Sequence, residues 1–332
     1  MELRLPKYGE TPNKSQKIII NDYKREKWKI KKDKKYLFTL ILFLVLIFLL
    51  ILLLKANNRK NNKNKIIEDN IFITYNDTIE KYNWEDEKLI VHALGKYKNT
   101  IYTNSYEALN YWYYEKNMRL MEADFLLTKD NHIVLAHDFD HLKNKPTLKE
   151  FKQFYAKGYL TPMTFEDLAI FMKKNEDLFI ITDTKYVDKI NIQLEFDEMN
   201  EILSRYNGVK KRFIIEIYNE EMFLFLKEKK YNFKYFMFTL YKRWNGRDYK
   251  DLENIFAFCA KNKINSIIMY KHLFNSRINN LSKNYSIPVY LHTENSLIKI
   301  VEFLKNAKGI FTDAIDKIIL NEYISNLTKL LL

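Results

Sequence analysis

The sequence predicts an α/β fold, a TIM (β/α)8 barrel preceded by a single N-terminal transmembrane helix, and three observations carry that prediction. Residues 36–54 form an uncharged apolar run of 19 residues. The chain after residue 65 alternates eight short, β-rich apolar runs with longer amphipathic ones, the βαβα pattern of a parallel sheet. Residues 66–332 supply 267 positions for this alternation, close to the size of one such barrel.

Composition removes several other classes. With 47% hydrophobic and 15% aromatic residues the chain has ample side chain to bury, so disorder as a whole is excluded. A single cysteine, Cys259, excludes an intramolecular disulfide framework and multi-cysteine metal sites. Its neighbours Phe256, Phe258 and Ala260 predict a buried, inert thiol. The net charge of +13 is concentrated at the N-terminus, where residues 1–35 hold 12 Lys+Arg against 5 acids. The remainder lacks the basic-aromatic stripe of a nucleic-acid groove, so no nucleic-acid partner is expected.

From the N-terminus, residues 1–35 read as a basic cytoplasmic segment. Residues 36–54, with Thr39 the only clearly polar side chain, nearly span a hydrocarbon core at 1.5 Å per residue. The run is followed by Lys55-Ala56-Asn57-Asn58-Arg59 and lacks a small-x-small cleavage pattern, which favours an uncleaved anchor over a signal peptide. Residues 16–35 carry nine Lys+Arg and residues 55–74 carry five, so the N-terminus is expected inside and the large C-terminal domain outside the cell membrane. Residues 55–65, rich in Asn and Lys, read as a solvated spacer.

The domain 66–332 is expected to place strands at Leu89–His92, Leu120–Leu126, Leu178–Thr182, Phe213–Ile217, Tyr235–Leu240, Ser266–Tyr270, Pro288–His292 and Gly309–Thr312. Helical patterns fall at Ser105–Lys116, Phe165–Lys174, Ile190–Arg205, Glu220–Lys229, Leu252–Asn262 and Leu297–Asn306, and Thr164 with Asp167 makes a capping box. An open doubly wound sheet is the runner-up, but no Gly-rich phosphate loop follows the first strand.

In a barrel, polar residues at the C-terminal ends of strands converge on one mouth. His92 ends the first strand. Glu122 and Asp124 lie two apart on the second, so the pleat points both to one side, where a hard cation would satisfy two carboxylates that are costly to bury alone. Asp183 and Lys185 repeat the spacing after the third strand. The turn Thr128-Lys129-Asp130-Asn131 and the run Ile133–Ala136 lead back to His137-Asp138, which can bring His137 over the same mouth. Two histidines, three carboxylates and a lysine suit metal-assisted phosphodiester cleavage with His acid/base catalysis. His132, His141 and His272 fall in loops and are expected to be solvated.

These residues carry a resemblance to the glycerophosphodiester phosphodiesterase family and its relatives, the phosphatidylinositol-specific phospholipases C and sphingomyelinase-D-type phospholipases. The segment Met121–Asp138 resembles the family's Glu-x-Asp, Thr-x-Asp-Gly and His-Asp block in order. Ile90–Gly95 is similar to its opening His-Arg-Gly strand, and Gly309-Ile310-Phe311-Thr312-Asp313 to its closing Gly-x-x-Thr-Asp strand. The resemblance implies a TIM barrel and one Mg²⁺ or Ca²⁺ ion held by Glu122, Asp124 and Asp183. It also implies His92 and His137 as the catalytic pair, and Lys185 on the phosphate of a small-molecule or lipid phosphodiester.

Three positions depart from the pattern. Asp183-Thr184-Lys185 stands for the family's Glu-x-Lys and is closer to the sphingomyelinase-D-type branch. Ala93 replaces the usual Arg, and Thr103 replaces the usual Glu of Glu-Asn-Thr. The alternative function is therefore a catalytically degenerate barrel acting as an extracytoplasmic binding protein. A third, a glycan-cleaving barrel using paired carboxylates, would leave both histidines without a role. No specific protein partner is expected.

Overall fold

The structure, a computed structural model, describes residues 82–140, 144–155, 160–241, 243–244 and 246–331. The basic segment, the expected membrane span 36–54, the spacer and His141 lie outside the described residues. A compact unit runs from Tyr82 to Leu332. Among the described residues no helix is long and apolar enough to cross a membrane.

Among the described residues nine strands form: β1 Leu89–Val91, β2 Leu120–Leu127, β3 Ile133–Leu135, β4 Phe179–Asp183, β5 Phe213–Ile217, β6 Tyr235–Thr239, β7 Ser266–Tyr270, β8 Val289–His292 and β9 Gly309–Thr312. Eight of them are parallel in the order β1-β9-β8-β7-β6-β5-β4-β2, and a β1–β2 pair at Val91 and Met121 closes the ring. The barrel is thus a TIM barrel. The ninth, β3, pairs antiparallel with β2 from outside, Phe125 opposite Leu135. It adds a strand to the eight expected for the barrel: Asn131 takes a left-handed φ of 62° in the connecting turn, and the returning run Ile133–Leu135 pairs with β2.

Each barrel strand is buried on both faces, which is why it reads as a near-continuous apolar run rather than an alternation. The outward residues, among them Met121, Ile180, Phe213, Phe238 and Ile310, pack with the helices into the main core. The inward residues Ile90, Leu120, Ile181, Ile214, Met237, Ile268, Tyr290 and Phe311, one from each strand, form a separate cluster inside the barrel, and Trp84 from the turn before β1 packs against it. Trp84 meets Tyr235 edge-on at 5.4 Å, so the N-terminal end of the barrel is plugged by aromatic side chains. Gly309 admits no other residue: a Cβ there would lie 2.6 Å from the Tyr290 ring and 2.9 Å from the Lys88 carbonyl oxygen.

The helices follow the sequence signals closely. Thr164 and Asp167 form the capping box at the start of Phe165–Lys174. Asp188, Asn219 and Asp248 cap Lys189–Ser204, Glu220–Glu228 and Tyr249–Lys261 by accepting backbone N–H bonds. Three helices were not foreseen: Leu148–Tyr155, Ser276–Tyr285 and Lys317–Leu331. The second carries Asn279, Asn280 and Asn284 among its polar positions and sets Ile278, Leu281 and Tyr285 against the core, with only Ile278 fully buried; the Asn275 cap holds its first turn. The helix expected at Ser105–Lys116 divides into Tyr106–Asn110 and a wider turn, Tyr111–Glu115, closed by the Lys116 N–H on the Tyr111 carbonyl at 3.1 Å.

Candidate metal and catalytic site

Two residues beyond the inner apolar ring, the same inward parity brings a polar layer to the C-terminal mouth. Position by position, Ile90 is followed by His92, Leu120 by Glu122 and Asp124, and Ile181 by Asp183. Ile214 is followed by Glu216, Met237 by Thr239, Tyr290 by His292 and Phe311 by Asp313. Strand register then sets neighbours: Asp124 of β2 lies directly beside Asp183 of β4.

Carboxylate oxygens of Glu122, Asp124 and Asp183 all lie within 4.8 Å of one another. Glu122 Oε2 accepts the Ala93 N–H at 2.6 Å, while its Oε1 is buried with no partner. The donor geometry at Ala93 comes from a backbone turn in which Ala93 and Leu94 both have positive φ, 49° and 57°. Asp124 is held by Asn104 twice: the side-chain amide donates to Oδ2 at 2.7 Å, and the amide oxygen accepts the Asp124 N–H at 3.0 Å. Asp183 accepts from the Tyr218 hydroxyl, which itself accepts the Lys185 N–H at 3.1 Å. Lys185 Nζ stands 2.6 Å from Asp124 and 3.2 Å from Asp183.

Charge around this cluster is uneven. Burial, reinforced by Asp124 and Asp183, raises the Glu122 carboxyl well above the ordinary range. Burial pushes Asp183 upward too, but the Lys185 ammonium and the Tyr218 hydrogen bond outweigh it and leave Asp183 lowered. Burial opposes the charge on Lys185, yet Asp183 and Asp124 raise it. Once Glu122 gives up its proton, three ionised carboxylates beside one ammonium would leave a deficit of two positive charges. An all-oxygen donor set with that deficit, and with a buried orphan oxygen on Glu122, fits a hard divalent cation such as Mg²⁺ or Ca²⁺ rather than a thiophilic metal.

His92 is buried, with Nδ1 2.7 Å from Asp313 Oδ1 and Nε2 3.9 Å from Glu122 Oε2. Asn295 braces Asp313, donating to Oδ2 at 2.7 Å and accepting the Asp313 N–H at 2.8 Å. His137 is exposed at the rim, its Nδ1 2.8 Å from Asp138 Oδ2. The hairpin brings it there: the adjacent Ala136 N–H donates to the Asp124 carbonyl at 3.1 Å. The two histidines do not touch. Tyr102 stands between them, 4.9 Å from the His92 ring and 4.7 Å from the His137 ring. His132 is 3.0 Å from Glu198 and away from this arrangement, and His272 is exposed, stacked on Tyr270.

The sequence reading gives no role to several residues of the mouth, Tyr218, Thr239 and Asn295 among them, and includes Asn104 only within Thr103-Asn104-Ser105. Asn104 and Tyr102 lie in an irregular loop at φ 44° and 55°, where no periodic signal exists. Glu216 and His292 follow from the parity rule applied to β5 and β8. Glu216 is buried and raised by burial and by Asp183. His292 meets the His92 ring edge-on at 4.5 Å, and burial together with His92 lowers it to about 3, so it stays a neutral imidazole.

No protein-family model matches the chain, and no curated protein matches it. Solved structures share its fold. A glycerophosphodiester phosphodiesterase from Parabacteroides distasonis superposes with a TM-score of 0.56 at 16% identity, over 74% of this chain and 99% of that one. A phosphodiesterase from Oleispira antarctica, in complex with the product sn-glycerol-3-phosphate, gives 0.55 at 13% identity over 73% and 97%. A glycerophosphodiester phosphodiesterase from Thermotoga maritima gives 0.53 at 17% identity over 72% and 97%. This chain is similar to all three in barrel architecture.

Proposed function

We propose that this chain is a membrane-anchored, metal-dependent phosphodiester hydrolase acting on glycerophosphodiesters or phospholipid-type phosphodiesters, with the barrel outside the cell membrane. The observation that carries the reading is the juxtaposition of the Glu122–Asp124–Asp183 cluster with the Asp313-held imidazole of His92 in one mouth. The barrel shared with phosphodiesterase structures supports it. The uncharged run 36–54 and its flanking charges support the anchor.

In this reading Glu122, Asp124 and Asp183 would hold Mg²⁺ or Ca²⁺, which when bound would supply positive charge against the phosphate. Lys185 adds a second positive contact for phosphate, shared with Asp124 and Asp183. Asp313 accepts the His92 Nδ1 proton, so Nε2 faces the mouth as the base that takes a proton from the attacking water or substrate hydroxyl. His137, at the solvent rim, donates a proton to the departing alkoxide. Imidazole suits both steps because its ring nitrogens can accept a proton and donate one.

A second reading, a barrel that binds without catalysis, is favoured by one contact: the Lys185 ammonium already lies between Asp124 and Asp183 and offsets part of their charge. The deciding experiment assays the purified full chain on a panel of phosphodiesters with and without chelator. Chelator-sensitive turnover supports the hydrolase. Phosphodiester binding without turnover, at saturating Mg²⁺ and Ca²⁺, supports the binding barrel.

A further inference from the structure

Tyr218 follows β5 and is 2% exposed, its ring part of the main core. β4 and β5 are neighbours, with Thr182 paired to Ile215, so Tyr218 stands beside the turn that leaves β4. That turn carries both Asp183 and Lys185. Its backbone is unusual: Lys185 has a left-handed φ of 59°, and the Tyr186 N–H closes a three-residue turn on the Thr184 carbonyl at 2.8 Å. A residue with a Cβ keeps such a conformation only where its surroundings fix it. The Tyr218 hydroxyl is one such fixture, accepting the Lys185 N–H at 3.1 Å. An N–H can only donate, so the phenolic oxygen accepts there and its hydrogen goes to Asp183 Oδ1. The other Asp183 oxygen, Oδ2, lies 3.2 Å from Lys185 Nζ.

We propose that Tyr218 is a positioning residue for both halves of the site, setting the carboxylate plane of Asp183 for the divalent cation and the backbone from which Lys185 reaches phosphate. The inference rests on the hydrolase reading and deepens it. Core packing alone does not account for the hydroxyl: phenylalanine would fill the same space, and burying a hydroxyl costs stability unless its hydrogen bonds are made. Here both bonds go to the one segment that carries a candidate metal ligand and the candidate phosphate contact. A carboxylate with one oxygen pinned has given up its rotation before the cation arrives, which removes that cost from binding. The same hydroxyl fixes the Lys185 backbone, so the ammonium approaches the mouth from a set origin.

The test titrates the purified full chain with Mg²⁺ by calorimetry and then, at saturating Mg²⁺, with inorganic phosphate. Tyr218→Phe keeps the ring and removes only the hydroxyl. It should weaken Mg²⁺ binding about 10- to 100-fold, the range for losing a partner of a metal ligand. Phosphate should weaken about two- to tenfold, the loss of one hydrogen bond. Tyr186→Phe is the control, because the Tyr186 hydroxyl accepts the Leu127 N–H at 3.0 Å; it should leave both affinities at the wild-type values. Wild-type affinities in Tyr218→Phe, equal losses in the two variants, a loss in only one affinity, or a Tyr218→Phe chain without a cooperative melt would each overturn the proposal. So would a wild-type chain that binds no divalent cation. Turnover of the wild-type chain on phosphodiesters is read separately. Affinities that respond as expected without turnover would sustain the positioning role and overturn the hydrolase reading, and turnover with unresponsive affinities would do the reverse.

Discussion

His92 and Asp313 are 221 positions apart in the chain and 2.7 Å apart in the fold. They meet because β1 and β9 are neighbours in the barrel, with Val91 paired to Thr312, so each strand delivers its next residue to the same point of the mouth. Burial works against the Asp313 charge, but His92 and Asn295 together hold its carboxyl below the ordinary range. The result is an imidazole with one nitrogen anchored and the other facing the carboxylate cluster.

Asp313→Asn should therefore keep the barrel folded but remove the acceptor that orients His92. Phosphodiester turnover should fall by about 10²- to 10⁴-fold, the range seen when the orienting carboxylate of a His-based site is lost. Steady-state rates alongside a thermal melt check this. Unchanged turnover would mean that His92 needs no orientation by Asp313.

Metal binding has its own signature. Mg²⁺ or Ca²⁺ at a hundredfold excess over its dissociation constant should stabilise the chain by about 2.7 kcal/mol, and Asp124→Asn should abolish the response. Because the Glu122 carboxyl is raised and must lose its proton to act as a ligand, affinity should increase with pH, by up to about tenfold per unit while Glu122 is protonated. Glu122→Gln should flatten that dependence. Calorimetric titration between pH 5 and 8 measures both slopes.

His137→Ala and His132→Ala should separate. His132 bonds Glu198, which also accepts the Ile133 N–H at 2.6 Å, so its loss should cost stability and little turnover. Among the described residues His137 meets Asp138 and the Tyr102 ring, and its loss should remove most of the rate with little change in melting temperature. Equal rate losses in the two variants would place the damage in the hairpin rather than in the chemistry.

Glu195, on the helix Lys189–Ser204, is wholly buried and neither carboxylate oxygen has a partner. Burial, with Asp183 and Glu198 nearby, raises it well above the ordinary carboxyl range. The sign follows from linkage: the folded state holds the proton more tightly, so stability is fully present below the unfolded value and is lost as pH rises toward the folded value. Glu195→Met should add about 1–3 kcal/mol at pH 8 and much less at pH 4. Denaturant melts at the two pH values decide it; a gain independent of pH would show that packing rather than ionisation is responsible.

The strands were legible because a barrel strand buries both faces, and only a run such as Phe213-Ile214-Ile215 or Ile180-Ile181 satisfies that demand. The helices with a capping residue and an apolar stripe were legible for the same local reason. β3 was not, being three residues long and drawn into pairing by β2. Ser276–Tyr285 was not either, since seven of its ten residues are polar or charged and only Ile278 is fully buried.

By itself, then, the sequence determined the eight-strand barrel and the strand ends on which His92, Glu122, Asp124 and Asp183 stand, because hydrophobic periodicity and pleat parity are properties of neighbouring residues. Only the tertiary structure decided what each of those groups faces. Asn104 clasps Asp124, Tyr102 separates His92 from His137, His292 packs edge-on against His92, and Lys185 bridges Asp124 and Asp183. Apart from Lys185–Asp183, these contacts join residues well separated in the chain through barrel closure and loops at positive φ, and neither closure nor loop geometry leaves a repeating pattern along the chain.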